Sequence, residues 1–185
     1  VPRTWLFLKE VILFWSAKGV DGFRCDMAEM VPVEFWQWLI PQAQEAKSIL
    51  FIAEIYERHL YDKYIYDAGF DYIYDKAVLY DQLVNVIKKE TPAYSIGDDM
   101  NFDMTERLLN FMENHDEVRL ASPFLSKSAW TAMPAIVVSA CLDKGAFMIY
   151  NGQETGDTAM DRAGYGGGNG RTTIYDYWHM PEFQK

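Results

Sequence analysis

The chain has 185 residues, half of them hydrophobic, and a formal net charge of −10 at pH 7. It can bury a sizeable core but is shorter than the ~250 residues of a complete eight-stranded α/β barrel. The acidic balance argues against nucleic acid as a partner and favours a neutral or cationic ligand. No stretch reaches the ~18 consecutive apolar residues of a membrane span. The N-terminus lacks a signal-peptide pattern, and the sequence does not fix the localisation.

The spacing of apolar residues predicts helices that alternate with strands. The predicted helices are residues 5–18, 33–46, 78–89 and 127–142, and the second segment is expected to be one helix or two, with a restart or kink at Pro41. The predicted strands are residues 20–25, 48–54, 71–74, a fourth entered from 104–111 that ends near residue 114, and 146–150. Residues 91–99 are predicted to form a loop.

This alternation predicts an α/β fold, with a parallel sheet and the helices outside it. Five strands are visible, so residues 1–185 are expected to be the C-terminal portion of a single (β/α)8 TIM barrel. An open five-stranded sheet is the alternative. In either architecture the chemistry belongs at the C-terminal ends of the strands.

The two cysteines, Cys25 and Cys141, lie in apolar segments without metal-ligand or redox spacing. Both are therefore predicted to be buried small hydrophobic residues.

Three apolar runs end in acids that parallel strands could bring to one rim of a sheet: Asp26, Glu54 and Asp116. Arg24 lies two residues before Asp26 and is predicted to point to the same face, where it would hold that carboxylate ionised. This arrangement suits a nucleophile. In isolation, an Arg and an Asp at this spacing are more often a structural ion pair.

Glu54 follows Phe51, Ile52 and Ala53, and an apolar surround favours the neutral, proton-donating form of a carboxyl group. A solvated glutamate at a strand end is the alternative interpretation. A retaining glycosidase needs one ionised and one proton-donating carboxyl group about 5 to 5.5 Å apart. Asp26 and Glu54 on adjacent parallel strands could meet that requirement.

His115 and Asp116 supply a third acid beside an imidazole, able to bind sugar hydroxyls and stabilise positive charge at an anomeric carbon. A buried histidine satisfied by a backbone carbonyl is the usual alternative. The nearby Glu113 and Glu117 could equally be surface charges.

With these motifs in order, the chain resembles the α-amylase superfamily (glycoside hydrolase family 13), retaining enzymes that hydrolyse or transfer α-glucans. Residues 22–26 (GFRCD) match the motif of its fourth strand, and residues 150–154 (YNGQE) resemble the segment after its eighth strand. The resemblance therefore covers nearly the whole chain, as strands four to eight. It implies that the first three strands and the excursion domain that follows the third are absent.

The resemblance implies a glycoside hydrolase acting on α-linked glucans such as starch and maltooligosaccharides, with retention. Asp26 would be the nucleophile, Arg24 its orienting partner and Glu54 the acid/base. His115 would bind hydroxyls, and Asp116 would stabilise the transition state. Tyr56 would offer an aromatic face to sugar rings, as would Tyr165 and Trp178 beside a glycine-rich loop at residues 163–170.

The chain departs from the family where many starch-degrading members carry Lys and His after the nucleophile, because Glu29 and Met30 stand there. The calcium and sugar contacts of those residues therefore do not carry over. No cofactor is required by the visible sequence, and calcium stays possible without support from it.

Two other functions fit the same residues less fully. A five-strand piece leaves sheet edges and apolar surface uncovered, which would suit a noncatalytic glucan-binding or assembly fragment that self-associates. A metal-dependent hydrolase could use the same acids, but metal-ligand spacing is missing.

Overall fold

A computed structural model describes residues 1–98 and 102–159 of the chain. Its strands are β1 (Gly22–Cys25), β2 (Leu50–Glu54), β3 (Tyr72–Tyr74), β4 (Leu108–Phe111) and β5 (Ala146–Met148). Among these residues the strands form one sheet in chain order, and β1 through β4 pair in parallel. The helices are α1 (Arg3–Ala17), α2 (Val33–Ala46), α3 (Asp81–Ile87) and α4 (Ala129–Cys141). The predicted α/β class, with a parallel sheet and helices, is confirmed.

The chain divides into two compact units. Among the described residues, the first comprises residues 1–77 with 107–109, and the second comprises residues 78–98, 102–106 and 110–159.

The first unit is built on β2, whose inward side chains are fully buried. Phe51 and Ala53 have no exposed surface, and Ile55 continues the same buried row. Gly22 lies so close to β2 that a Cβ there would come within 3.0 Å of the Leu50 carbonyl oxygen. A larger residue would therefore push apart the two strands that carry Asp26 and Glu54.

Helix α2 is continuous through Pro41, so of the two expected arrangements the single helix is confirmed and a restart at this residue is wrong. Proline removes one backbone N–H from a helix, and the loss is tolerated where water can reach the freed carbonyl group. Pro41 lies on the exposed side of α2. The buried side, with Phe35, Trp36 and Leu39, supplies enough apolar contact to keep one helix.

The second unit is held by an aromatic stack and a capped helix. The rings of Tyr80 and Phe111 lie 4.9 Å apart and nearly parallel. The Ser128 side chain accepts the backbone N–H of Trp130 and begins α4, and the Ser139 hydroxyl in that helix donates to the Phe111 carbonyl oxygen. These contacts fix the end of β4, which leads directly into the segment carrying His115 and Asp116.

Two elements differ from the sequence prediction in their bounds. Residues Phe102–Arg107 form 3-10 turns, so β4 begins only at Leu108. The predicted helix at 78–89 begins instead as a π-helical turn, Lys76–Tyr80, and continues as α3.

Helices α1 and α4 each expose large apolar side chains. On α1 these are Leu6, Phe7, Leu8, Phe14 and Trp15, and on α4 they are Trp130, Met133 and Val137. Cys141 is also exposed, so the prediction that both cysteines are buried is wrong for this one, which ends α4. No helix among the described residues is long and apolar enough to cross a membrane.

Candidate active site

Strand register brings two predicted acids to neighbouring positions in the first unit. Cys25 of β1 pairs with Ala53 of β2, so Asp26 and Glu54 are the next residues along the two parallel strands. Their exposure differs sharply, because the side chain of Asp26 is 75% exposed and that of Glu54 only 4%. One acid is open to a ligand and the other is enclosed.

The guanidinium group of Arg24 contacts both acids. Its Nη1 atom donates to Asp26 Oδ1 at 2.6 Å, and its Nη2 atom lies 2.6 Å from Glu54 Oε1. Burial opposes the charge on Arg24, but the hydrogen bond to Asp26 and the charges of both acids outweigh it and raise its pKa. The guanidinium therefore stays charged and joins the two carboxylates.

Glu54 has two further hydrogen-bond donors. The backbone N–H of Met27 donates to Oε2 at 3.0 Å, and the Tyr56 hydroxyl donates to Oε1 at 3.2 Å. Met27 adopts the left-handed conformation, with φ 43° and ψ 47°, which is strained for a residue with a side chain. The sequence suggested a purely apolar environment for Glu54, but the structure surrounds its carboxyl group with Arg24 and these two hydrogen-bond donors.

Tyr74 is a site residue that the sequence analysis missed. It pairs with Glu54 in the register of β2 and β3, and the Arg24 guanidinium carbon lies 5.7 Å from its ring centre. Cation–π contact of this kind adds to the restraint on an arginine. The only advance signal was the position of Tyr74 at the end of a predicted strand.

Glu29, which stands where relatives of the resembled family carry lysine, binds the backbone after β2. Its Oε2 atom accepts the N–H of Tyr56 at 3.2 Å and that of Glu57 at 3.0 Å. A lysine has only donors and could not accept these groups. Met30, in contrast, is 74% exposed.

His115 and Asp116 lie together in the second unit. His115 Nε2 is 3.1 Å from Asp116 Oδ2, and both side chains are partly exposed. Asn114 shapes this segment, because its Oδ1 atom accepts the backbone N–H groups of Asp116 and Glu117. The usual alternative of a buried histidine is therefore wrong here.

A buried ionic cluster follows the same segment. The fully buried Arg119 pairs with Glu113 and contacts Asp157 at 3.0 Å. It also donates to the Asn151 carbonyl oxygen, and its guanidinium carbon lies 4.6 Å from the ring centre of Tyr150. The cluster joins the segment after β4 to the segment after β5 within the second unit.

Glu113 is buried in that cluster, so the interpretation of it as a surface charge is wrong. Burial raises its pKa, while Arg119 and the N–H of Leu120 act in the opposite direction, and Asp157 reinforces the rise. The advance signal was present, since Glu113 ends an apolar run just as Glu54 does. Glu117 accepts the Tyr80 hydroxyl at 3.0 Å.

Within residues 1–98 and 102–159, no group of three or more His, Cys, Asp or Glu side chains is arranged to hold a metal ion. The glycine-rich loop at 163–170, Tyr165 and Trp178 lie outside the described residues.

Comparison with known proteins gives a consistent family. The model of the α-amylase catalytic domain matches residues 5–172. A curated relative, the α-1,4-glucan:maltose-1-phosphate maltosyltransferase of Cereibacter sphaeroides, is 27% identical over 162 residues, which is 83% of this chain and 25% of that protein. The enzyme of the same name from Myxococcus xanthus is 38% identical over 71 residues, 38% of this chain and 11% of that protein.

Solved structures show the same similarity. A maltogenic α-amylase from Thermotoga neapolitana matches with a TM-score of 0.65 and 25% identity, covering 85% of this chain and 36% of that one. A cyclic α-maltosyl-(1→6)-maltose hydrolase from Arthrobacter globiformis matches in fold with a TM-score of 0.72 at 17% identity, covering 100% of this chain and 42% of that one. The chain thus spans about a quarter of the first curated relative.

Proposed function

Because the chain belongs to the α-amylase catalytic-domain family, we propose that it acts on α-linked glucans with retention, through a covalent glycosyl intermediate at Asp26. The observation that carries the proposal is the pairing of an exposed and an enclosed carboxylate through one guanidinium, that of Arg24. The strand register that makes Asp26 and Glu54 neighbours also supports the proposal, because a double displacement needs two carboxyl groups side by side.

In the first step the Asp26 carboxylate attacks the anomeric carbon while Glu54 protonates the departing glycosidic oxygen. In the second step Glu54 takes a proton from an acceptor hydroxyl, which attacks the same carbon and releases Asp26. His115 binds sugar hydroxyls and Asp116 stabilises the positively charged transition state, as the resemblance implies. Tyr56, whose hydroxyl contacts Glu54, offers its ring to the sugar.

Arg24 suits both steps electrostatically. Asp26 carries the negative charge before attack, and Glu54 carries it once Asp26 has become a neutral ester. In each step of the reaction the pair therefore holds one negative charge, and the guanidinium in contact with both acids compensates it.

The acceptor separates two versions of this function. Water as the acceptor gives hydrolysis of starch or maltooligosaccharides. A second sugar gives transfer, which the curated maltosyltransferase relatives favour. Both versions use the same residues, so the products decide between them.

The test is incubation of the protein carrying this sequence with a maltooligosaccharide ladder, with and without maltose 1-phosphate, followed by chromatography of the products. We expect glucan turnover that Asp26→Asn and Glu54→Gln each reduce by at least ~10³-fold. Matched controls are Asp21→Asn and Glu57→Gln, which change exposed carboxylates of the same unit. Ordinary turnover by Asp26→Asn contradicts the proposal.

A glucan-binding or assembly fragment is the alternative function. The exposed apolar side chains of α1 and of α4 support it. Light scattering separates the two, since a folded monomer that turns over glucans contradicts a purely assembling role.

A further inference from the structure

The carboxylates of Glu29 and Glu54 make reciprocal contacts between two loops of the first unit. Glu54, at the end of β2, accepts the N–H of Met27 in the loop after β1. Glu29, in that loop, accepts the N–H groups of Tyr56 and Glu57 after β2. The loop after β1 thus supplies an acceptor for the backbone after β2, and the last residue of β2 supplies one for that loop.

The loop that carries Glu29 is itself fixed by two side-chain hydrogen bonds. The buried Trp36 indole donates to the Ala28 carbonyl oxygen at 3.1 Å, and the Tyr64 hydroxyl donates to that of Val31 at 3.1 Å. These two anchors lie on either side of Glu29 in sequence. The backbone around Glu29 is therefore restrained on both sides, and its carboxylate is a restrained acceptor for the segment after β2.

That segment includes a group in contact with the proposed acid/base. The Tyr56 hydroxyl donates to Glu54 Oε1 at 3.2 Å, while the Tyr56 backbone N–H donates to Glu29. Amides that follow the last pair of a strand have lost their sheet partners and need another acceptor. Glu29 supplies it, and so holds the backbone of the residue whose hydroxyl contacts Glu54.

We propose that Glu29 is a positioning residue for the reaction, acting through Tyr56 to hold Glu54 in its working orientation. The inference rests on the proposed function, because Glu54 has an orientation to keep only if it moves protons. The side chain at position 29 must accept hydrogen bonds. Gln should therefore preserve the function of Glu29, whereas Ala and Lys should not.

Activity measurements test the route through Tyr56. We expect Glu29→Ala and Glu29→Lys each to lower kcat by ~10-fold with a smaller change in KM, equivalent to ~1.4 kcal/mol. Glu29→Gln should stay within ~3-fold of the wild type, because its amide oxygen still accepts. In a Tyr56→Phe background, Glu29→Ala should add little, since the hydroxyl through which it acts is gone. The matched control is Glu34→Ala, an exposed acid at the start of α2.

Amide hydrogen exchange tests the contact without requiring activity. The amides of Tyr56 and Glu57 should exchange at least ~10-fold faster in Glu29→Ala than in the wild type or Glu29→Gln. Unchanged exchange of these amides in Glu29→Ala overturns the inference. It is also overturned if the fold-losses in kcat of Glu29→Ala and Tyr56→Phe multiply in the double variant, because the two residues would then act independently. A wild-type protein without α-glucan activity, or an active Asp26→Asn, overturns the proposed function instead.

Discussion

The guanidinium of Arg24 lies 2.6 Å from the carboxylate of Glu54, so the enclosed acid of β2 is ion-paired with a residue of the neighbouring strand. An ion pair that shields a buried carboxylate matters most when one partner is removed, because the remaining charge has neither water nor a counterion.

The first prediction is that Arg24→Ala lowers the free energy of unfolding by ~3 kcal/mol, because Glu54 is left enclosed without its cation. Urea denaturation followed by circular dichroism measures the change. Lys144→Ala is the matched control, since Lys144 pairs with the exposed Glu106 at 2.9 Å and such surface pairs contribute little to stability. Equal effects of the two substitutions would show that the Arg24 contact adds nothing beyond a surface pair.

The second prediction concerns the buried cluster of the second unit. Arg119→Met leaves two buried carboxylates, Glu113 and Asp157, without their shared cation and should destabilise the protein by at least ~3 kcal/mol. Thermal unfolding measures the loss. Lys144→Gln removes the exposed pair with Glu106 and should leave the unfolding temperature unchanged. A stable Arg119→Met protein would contradict the importance given to this cluster.

The third prediction is that Glu113 makes the stability of the protein depend on pH. Burial raises its pKa above the ordinary value of 4.5, so folding favours the protonated form. The stability from this group is complete below the unfolded pKa and is lost as the pH rises through the folded one. The free energy of unfolding of the wild type should therefore fall relative to Glu113→Gln as the pH rises above the ordinary pKa of 4.5. A difference that stays constant or grows in the other direction would contradict the assignment.

The fourth prediction separates the two thiols. Burial raises the pKa of Cys25 to about 12, with the charge of Arg24 only partly opposing it, whereas Cys141 is exposed at the end of α4. Because the thiolate is the reactive form, iodoacetamide near pH 8 should label Cys141 in the native protein and spare Cys25. Peptide mass spectrometry after labelling gives the result directly. Labelling of both thiols at similar rates would show that Cys25 is accessible.

Sequence reasoning reached the features that depend on local pattern. Apolar runs located the five strands, and the two-residue spacing of Arg24 and Asp26 anticipated a contact that the structure contains. Sequence reasoning could not predict features that depend on how the strands pair. Glu54 and Tyr74 lie opposite each other only because β2 and β3 pair as they do.

Contacts between side chains far apart in the chain could not be predicted from the sequence either. Arg119 meets Asp157 across 38 positions of chain, and no local pattern marks that pair. The burial of Glu113 could have been predicted more easily, because this residue ends an apolar run. Pro41 shows the opposite error, since a strong local signal for a break was outweighed by the apolar side of α2.

The central claim, that Asp26 is the nucleophile, is tested most directly by trapping the intermediate. In Glu54→Gln, a maltosyl fluoride can still glycosylate the nucleophile because fluoride leaves without a proton donor, while the missing base slows release. Peptide mass spectrometry should then find a maltosyl group on Asp26. An adduct on another carboxylate, or none when the wild type turns over the same substrate, would contradict the account.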